Sequence, residues 1–298
     1  MSVAEELHIE PRLVAPTSCH IGENPLWHPE LELILFLDIA AGHVYSYSPA
    51  TGAHDIFSQG PVTGGMTLQE DGQILLFQDG TISLMDKTGK QQIVRRHCCT
   101  GNDRFNDVVS DPEGRVFAGA LGGNGRLYRI DHDGTITELF DGIGVPNGMG
   151  FSPDLRHMYF TDSVPRKIYL FDYERTTGTL SNRRAFAEVP LEQGVPDGMT
   201  VDAHGYVWGA VWFGGRVRRY APDGRVDTEV LFPVAQTSAI VFGGSDYTDA
   251  YVTTAMTDEA DSMMPPNYDI SRPRGGGLYS FRLDGVKGTP LFRSRVRF

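Results

Sequence analysis

Six residues occupy one recurring position along the chain and carry most of its candidate chemistry: Glu23, Gly64, Asn106, Asn147, Asp197 and Thr237. Carboxylates, carboxamides and a hydroxyl are the oxygen donors that hard divalent cations take, with water completing the shell. Gathered around a common axis, Glu23, Asn147 and Asp197 supply three ligands for one such ion. Gly, Asn and Asp also begin and end tight turns, so a ring of hydrogen-bonded turn residues is the competing account. Glu23 fits that account badly, because glutamate is not a turn former. All-oxygen ligation leaves calcium, zinc, manganese, magnesium and iron(II) open.

The elements that would gather these residues are visible as an internal repeat. The segments GMTLQEDG (65–72), DVVSDPEG (107–114), GMGFSPDL (148–155) and GMTVDAHG (198–205) align without gaps; ENPLWHPE (23–30) joins one residue out of phase, and SAIVFGGS (238–245) is the last copy. The residues just before the shared segment are the six named above, spaced 41, 42, 41, 50 and 40 apart, so a repeat of about 41 residues covers the chain. Each copy continues with a second apolar run, a third, and a weaker fourth near 55–58, 92–95, 136–139, 184–188 and 228–232. Short apolar runs closed by Asp-Gly, Gly-Gly or Pro turns, in a chain with 35 glycines, are strand and hairpin punctuation. Only 1–7 and 185–193 carry weak helical periodicity. Four antiparallel strands in each of six copies predict an all-β, six-bladed β-propeller, one domain over residues 1–298, closed by a terminal strand at 11–14 or at 290–294. In such a ring the first strand of every blade lines the central channel, with first strands starting near 23, 64, 106, 147, 197 and 237.

Composition removes several function classes. With 38 acidic and 26 basic residues the net charge is −12, which opposes binding to nucleic acid, where Lys and Arg must neutralise phosphates. The longest apolar stretch, 31–41, contains Glu32 and Asp38 and falls well short of the roughly 20 residues of a membrane span. No basic region followed by an apolar one opens the sequence, so a cytoplasmic location is expected. Cys19, Cys98 and Cys99 make neither a disulfide framework nor a zinc spacing. GIGVPNG (142–148) is not a dinucleotide fingerprint, and HExxH and GxSxG are absent. DHDG (131–134) reads as a hairpin turn. His20 and His28, nearest the ring, read as structural, and Asp38, Asp79 and Asp162, at the ends of second strands, read mostly as turn caps.

Gly22-Glu23-Asn24-Pro25-Leu26-Trp27, Arg104-Phe105-Asn106-Asp107, Pro146-Asn147-Gly148-Met149, Pro196-Asp197-Gly198-Met199 and Thr237-Ser238 with Phe242-Gly243-Gly244 resemble the family of senescence marker protein (regucalcin), gluconolactonases and luciferin-regenerating enzyme. The resemblance runs from about Pro16 to the C-terminus. It implies a six-bladed propeller with one divalent cation in the channel, metal ligands at Glu23, Asn147 and Asp197, substrate contacts at Arg104 and Asn106, hydrolysis of a small-molecule sugar lactone, and Asp197 as general base. In one respect the chain departs from the regucalcin-like pattern. A substrate-contacting Glu follows Phe-Ala-Gly there, whereas Phe117-Ala118-Gly119 runs here into Ala120-Leu121-Gly122-Gly123, which leans toward a bacterial aldonolactonase.

The expected activity is therefore metal-dependent opening of an aldono-lactone such as glucono-, xylono- or arabinono-lactone, without a nucleophilic Ser or Cys. An arylesterase or organophosphate hydrolase on the same cation, and a non-catalytic binding propeller pinned by its metal, are the alternatives. Arg104 beside the ring favours an enzyme, since a structural pin requires no cationic residue. A long connection at 256–275, where other copies use two to five residues, is expected to border the substrate entrance.

Overall fold

The computed structural model describes residues 9–99, 103–257, 261–266 and 268–298. The helical pattern at 1–7, and Asp258 and Glu259 of the long connection, lie outside them. Alternating and continuous apolar runs become strands because each is bounded by a turn that satisfies its own backbone. At the hairpins joining first to second strands, Gly72, Gly114 and Gly205 donate their N–H to the carbonyls of Gln69, Asp111 and Asp202, at 3.0, 3.0 and 2.9 Å. The Asp111 carboxylate also accepts the N–H groups of Glu113 and Arg115, both at 2.9 Å. Asp131 and Gly134 close the DHDG hairpin in the same way.

Six four-stranded antiparallel sheets result, forming the blades of a β-propeller. Their first strands are Gly22–His28, Thr63–Leu68, Arg104–Ser110, Pro146–Phe151, Val195–Val201 and Thr237–Gly243. Second strands such as Leu33–Asp38, Ile74–Gln78 and Val207–Trp212 are apolar but for the terminal Asp38 and Gln78, because both of their faces are covered. The core lies in wedges between neighbouring blades: Leu35 and Leu37 meet Met66 and Leu76, and Phe77 meets Phe105 edge to face at 5.3 Å. Trp27, Ile34 and Phe36 pack on Val241, Tyr251 and Leu278, so the last wedge joins the sixth blade to the first.

Closure falls to the N-terminal strand. Arg12–Ala15 pairs with Leu278–Phe281 (Arg12 opposite Ser280, Leu13 opposite Tyr279) and completes the sixth sheet. The other candidate, 290–294, adds no strand to a blade. It crosses the face opposite the ring instead: Ser294, Arg295 and Arg297 donate their N–H groups to the carbonyls of Leu68, Gly114 and His132 at 2.8, 2.8 and 2.9 Å, while Val296 is buried among second- and third-blade side chains. The 185–193 pattern likewise yields to tertiary pairing. Its first half belongs to the strand Thr179–Glu188, held along Lys167–Glu174, and only Leu191–Gln193 makes a helical turn. That long hairpin accounts for the 50-residue spacing of the fourth copy.

The gap in the ring has a steric cause. A Cβ on Gly64 would stand 2.0 Å from the carbonyl oxygen of Phe105 in the next blade. Backbone on both sides cannot yield as a flexible side chain would, so Gly64→Ala should cost about 1–3 kcal/mol of stability, measured by chemical denaturation; an unchanged midpoint would show that the blades can move apart.

Candidate metal and substrate site

Each first strand breaks register at the recurring position. Two residues, Asn24 and Pro25, sit between the pairs Glu23–Leu37 and Leu26–Leu35; Asn106 and Asp107, Asn147 and Gly148, and Asp197 and Gly198 do the same in the third, fourth and fifth blades. These are β-bulges, which re-aim side chains at the ends of sheets. Gly148 and Gly198 allow it: a Cβ there would lie 2.5 Å from Met199 N and 2.4 Å from Ala239 Cβ of the following blade.

Glu23, Asn147 and Asp197 are buried side chains, 8, 8 and 7% exposed. Among the described residues no three His, Cys, Asp or Glu side chains form a metal-holding group, so a cation centre here would draw on other oxygens, such as those of the carboxamides, beside the carboxylates. Burial pushes the Glu23 carboxyl well up, and Asp107 adds repulsion; one Glu23 oxygen accepts the N–H of Asn24 at 2.6 Å. Asp197 is raised further by burial, by Glu23 and then by Asp107. Desolvation and mutual repulsion both oppose charge on these carboxylates, and a divalent cation between them reverses both effects. The donor set therefore fits a hard cation.

A chain of hydrogen bonds runs round this side of the ring. Arg104 Nη1 donates to the Phe105 carbonyl at 3.0 Å and to Asn106 Oδ1 at 3.2 Å. Asn106 Nδ2 donates to the Pro146 carbonyl at 2.9 Å and to Asn147 Oδ1 at 3.2 Å. Asn147 Nδ2 donates to Ser163 Oγ at 3.1 Å, and Ser163 Oγ to the Pro196 carbonyl at 2.8 Å. The sixth ring position differs from expectation. Thr237 is fully buried and its hydroxyl donates to the carbonyls of Val211 and Arg216, so it ties blades together instead of facing the channel.

Three neighbours, Asp107, Asn24 and Ser163, escaped the repeat-based reading. Asp107 stands where the fourth and fifth blades have Gly148 and Gly198, and accepts from Asn24 Nδ2 at 3.0 Å and from its own following N–H at 2.7 Å. Asn24, at φ 44°, also accepts the Met66 N–H at 2.8 Å. The adjacency of a carboxylate to Asn106 was the available signal. Ser163 had none, because its relation to Asn147 spans two strands. Asp38 and Asp162 act as the expected caps: they accept the N–H groups of His20 and Ile21, and of Gly144 and Val145, at the entry to first strands. His28 is a structural residue, bonded to the Gly72 carbonyl at 3.0 Å.

Below the ring, a cavity of about 130 Å³ runs down the axis, bordered by Asn24, Asp107, Met66 and Met199 and floored by Leu291 and Phe292 of the C-terminal segment. On the ring face, Met263, Met264 and Tyr268 of the long connection pack on Val195, Trp212 and Phe213, two residues from Asp197. In the segment after Phe117-Ala118-Gly119, a Cβ on Gly122 would lie 2.2 Å from Asp103 Oδ1, whose other oxygen pairs with Arg126.

A model of the SMP-30/Gluconolactonase/LRE-like region matches residues 21–256. Pentonolactonase XacC of Haloferax volcanii is 41% identical over 292 residues, 95% of this chain and 98% of that protein. Regucalcin of Xenopus laevis is 32% identical over 281 residues, 90% of this chain and 92% of that protein. The solved structure of a calcium-binding regucalcin from Agrobacterium tumefaciens superposes with a TM-score of 0.84 at 26% identity, covering 98% of this chain and all of that one.

The raised Glu23 carboxyl makes the cation-free protein sensitive to pH. A carboxyl raised on folding contributes stability that is full below its ordinary 4.5 and lost as pH rises through about 8. In the presence of chelator, wild-type protein should therefore lose more thermal stability than Glu23→Gln between those limits, and a divalent cation should restore it. If the two proteins respond identically to pH and cation, Glu23 does not carry the effect.

Proposed function

The chain belongs to the SMP-30/gluconolactonase/LRE-like family, and from that premise we propose that it is a lactone hydrolase that opens the cyclic ester of an aldonic acid, with one divalent cation held by Glu23, Asn147 and Asp197. The observation that carries the reading is the near full-length similarity to a pentonolactonase, so a five-carbon aldono-lactone is the first substrate to try. When bound, the cation would polarise the ester carbonyl and stabilise negative charge on its oxygen. Which of calcium, zinc, manganese, magnesium or iron(II) is native belongs to the proposal, with calcium supported by the name of the Agrobacterium relative.

The chain's own groups divide the remaining work. Asp197, whose buried carboxyl holds a proton more readily than an exposed one, is the general base that takes a proton from the attacking water. Arg104 contacts the hydroxyl and ring oxygens of the lactone through its planar guanidinium. Asn106 has both amide hydrogens engaged and keeps one lone pair of Oδ1 for substrate. With the tail segment flooring the cavity, substrate enters from the ring face, past the connection carrying Met263 and Tyr268. The same proposal sets the reaction in the cytoplasm, where Cys19, Cys98 and Cys99, all free thiols, stay reduced.

The test is a panel of pentono- and hexono-lactones with an aryl ester as control, assayed after chelation and re-addition of each cation, with spontaneous hydrolysis subtracted. Turnover of the aryl ester above every lactone would replace this reading by an arylesterase. Alanine variants separate the roles. Glu23→Ala, Asn147→Ala and Asp197→Ala should weaken cation binding; excess cation should partly restore turnover to the first two and not to Asp197→Ala, which also lacks the base. Arg104→Ala should bind the cation nearly normally and lose roughly tenfold to 150-fold in kcat/KM, the worth of one charge-assisted hydrogen bond. Loss of cation binding by Arg104→Ala as severe as that of Glu23→Ala would refute this division of roles.

A further inference from the structure

A carboxamide can present either its oxygen or its nitrogen, and only the oxygen ligates a hard cation. What settles the choice at Asn147 is the pair of groups that end its hydrogen-bond chain. Arg104, at one end, has donors only; the Pro196 carbonyl, at the other, can only accept. Because Pro196 accepts, the single Ser163 hydroxyl hydrogen must point to it, and Ser163 Oγ is left as an acceptor. The Asn147 group 3.1 Å away must then be its NH₂. From the other side, Asn106 Oδ1 faces the Arg104 guanidinium, so its NH₂ is the group that meets the Pro146 carbonyl and Asn147 Oδ1. The chain is polarised in one direction, and it leaves one lone pair of Asn147 Oδ1 uncommitted.

The two ends are not equally protected. Asn106 is oriented by both Arg104 and the Pro146 carbonyl, so loss of one leaves the other. On its amide side, Asn147 depends on Ser163, which is 2% exposed and belongs to the turn after His157–Asp162. Its own position is secured by backbone bonds, from its N–H to the Val145 carbonyl and from Arg166 N–H to its carbonyl, both 3.0 Å. Ser163 is thus a fixed acceptor for the NH₂ of Asn147, whose oxygen Asn106 holds from the other side.

We propose that Ser163 is a positioning residue: its hydroxyl, directed by the Pro196 carbonyl, holds the Asn147 amide with its oxygen toward the channel and so raises the affinity of the ring for its cation. The inference rests on the reading of Asn147 as a cation ligand. Supports of this kind beyond the ligands typically change metal affinity by about 10–100-fold, and that is the loss expected for Ser163→Ala. KM for the lactone at saturating cation should stay near the wild-type value, because Ser163 does not face the substrate.

The experiment is calorimetric titration of Ca²⁺, and separately of Mn²⁺, into chelator-stripped wild type, Ser163→Ala, Asn147→Ala and the double variant, with thermal stability of each stripped protein in parallel. Weakened binding in Ser163→Ala, and no further weakening when it is added to Asn147→Ala, is the expected result. If Asn147→Ala binds as wild type, the ligand reading fails and takes the inference with it. If Asn147→Ala is weakened while Ser163→Ala is not, the inference alone fails. It fails also if Ser163→Ala weakens binding equally in both backgrounds, since the effect then bypasses Asn147. Should Ser163→Ala not fold, Ser163→Cys keeps the volume with a much weaker acceptor, and the same three comparisons decide.

Discussion

The structure depends on how closely six first strands approach one axis. Backbone meets backbone there: Gly64 faces the Phe105 carbonyl, Gly148 the Met199 N–H, and Gly198 the Ala239 side chain. Strands this close cannot all carry ordinary side chains at the same level, and the register breaks at each bulge answer that crowding. A bulge turns two successive residues away from the regular alternation. In the third, fourth and fifth blades the pairs are Asn106 and Asp107, Asn147 and Gly148, and Asp197 and Gly198, so the polar residue of the recurring level is followed by a glycine or, in Asp107, by a side chain that bonds to Asn24. The oxygen cluster is a by-product of the way the blades converge.

That convergence concentrates acidic oxygen where water is scarce. On top of the effect of burial, Asp107 raises the proton affinity of Glu23, and Glu23 and Asp107 raise that of Asp197. In a protein without a use for this arrangement, apolar or neutral residues would cost less. The carboxamides beside them are held in a single polarised chain whose direction is set by a donor-only guanidinium and an acceptor-only carbonyl. The site is thus built on strand ends of a rigid frame, the placement that holds donor atoms most accurately.

The two faces of the propeller serve different ends. On one, the C-terminal segment bonds to the hairpin turns and floors the channel. On the other, the connection bearing Met263, Met264 and Tyr268 rests on the fifth blade next to Asp197. The first strands thus hold the oxygen donors, the longer connection lies against the fifth blade beside them, and the Gly122 turn is crowded by Asp103.

By itself the sequence determined what repeats: blade number, strand order within a blade, and the level at which Glu23, Asn106, Asn147 and Asp197 occur, because strand alternation and turn chemistry are local and recur every 41 residues or so. It also exposed the run Ala120-Leu121-Gly122-Gly123, though not the crowding of Gly122 by Asp103. Closure by Arg12–Ala15 and not by 290–294 was open in the sequence, since either segment can pair with a free edge and only the meeting of the chain ends selects one. The pattern at 185–193 read as weakly helical because it was judged alone, and pairing along Lys167–Glu174 overrode it. Thr237 shared the ring position in sequence, yet its hydroxyl found buried carbonyls nearer than the channel. Asp107, Asn24 and Ser163 entered the site through contacts across 83 and 16 residues of chain, between strands of different blades or of one blade. Such contacts have no period: the one between Asn147 and Ser163 exists once the fourth blade folds, and the one between Asn24 and Asp107 only once the blades meet around the axis.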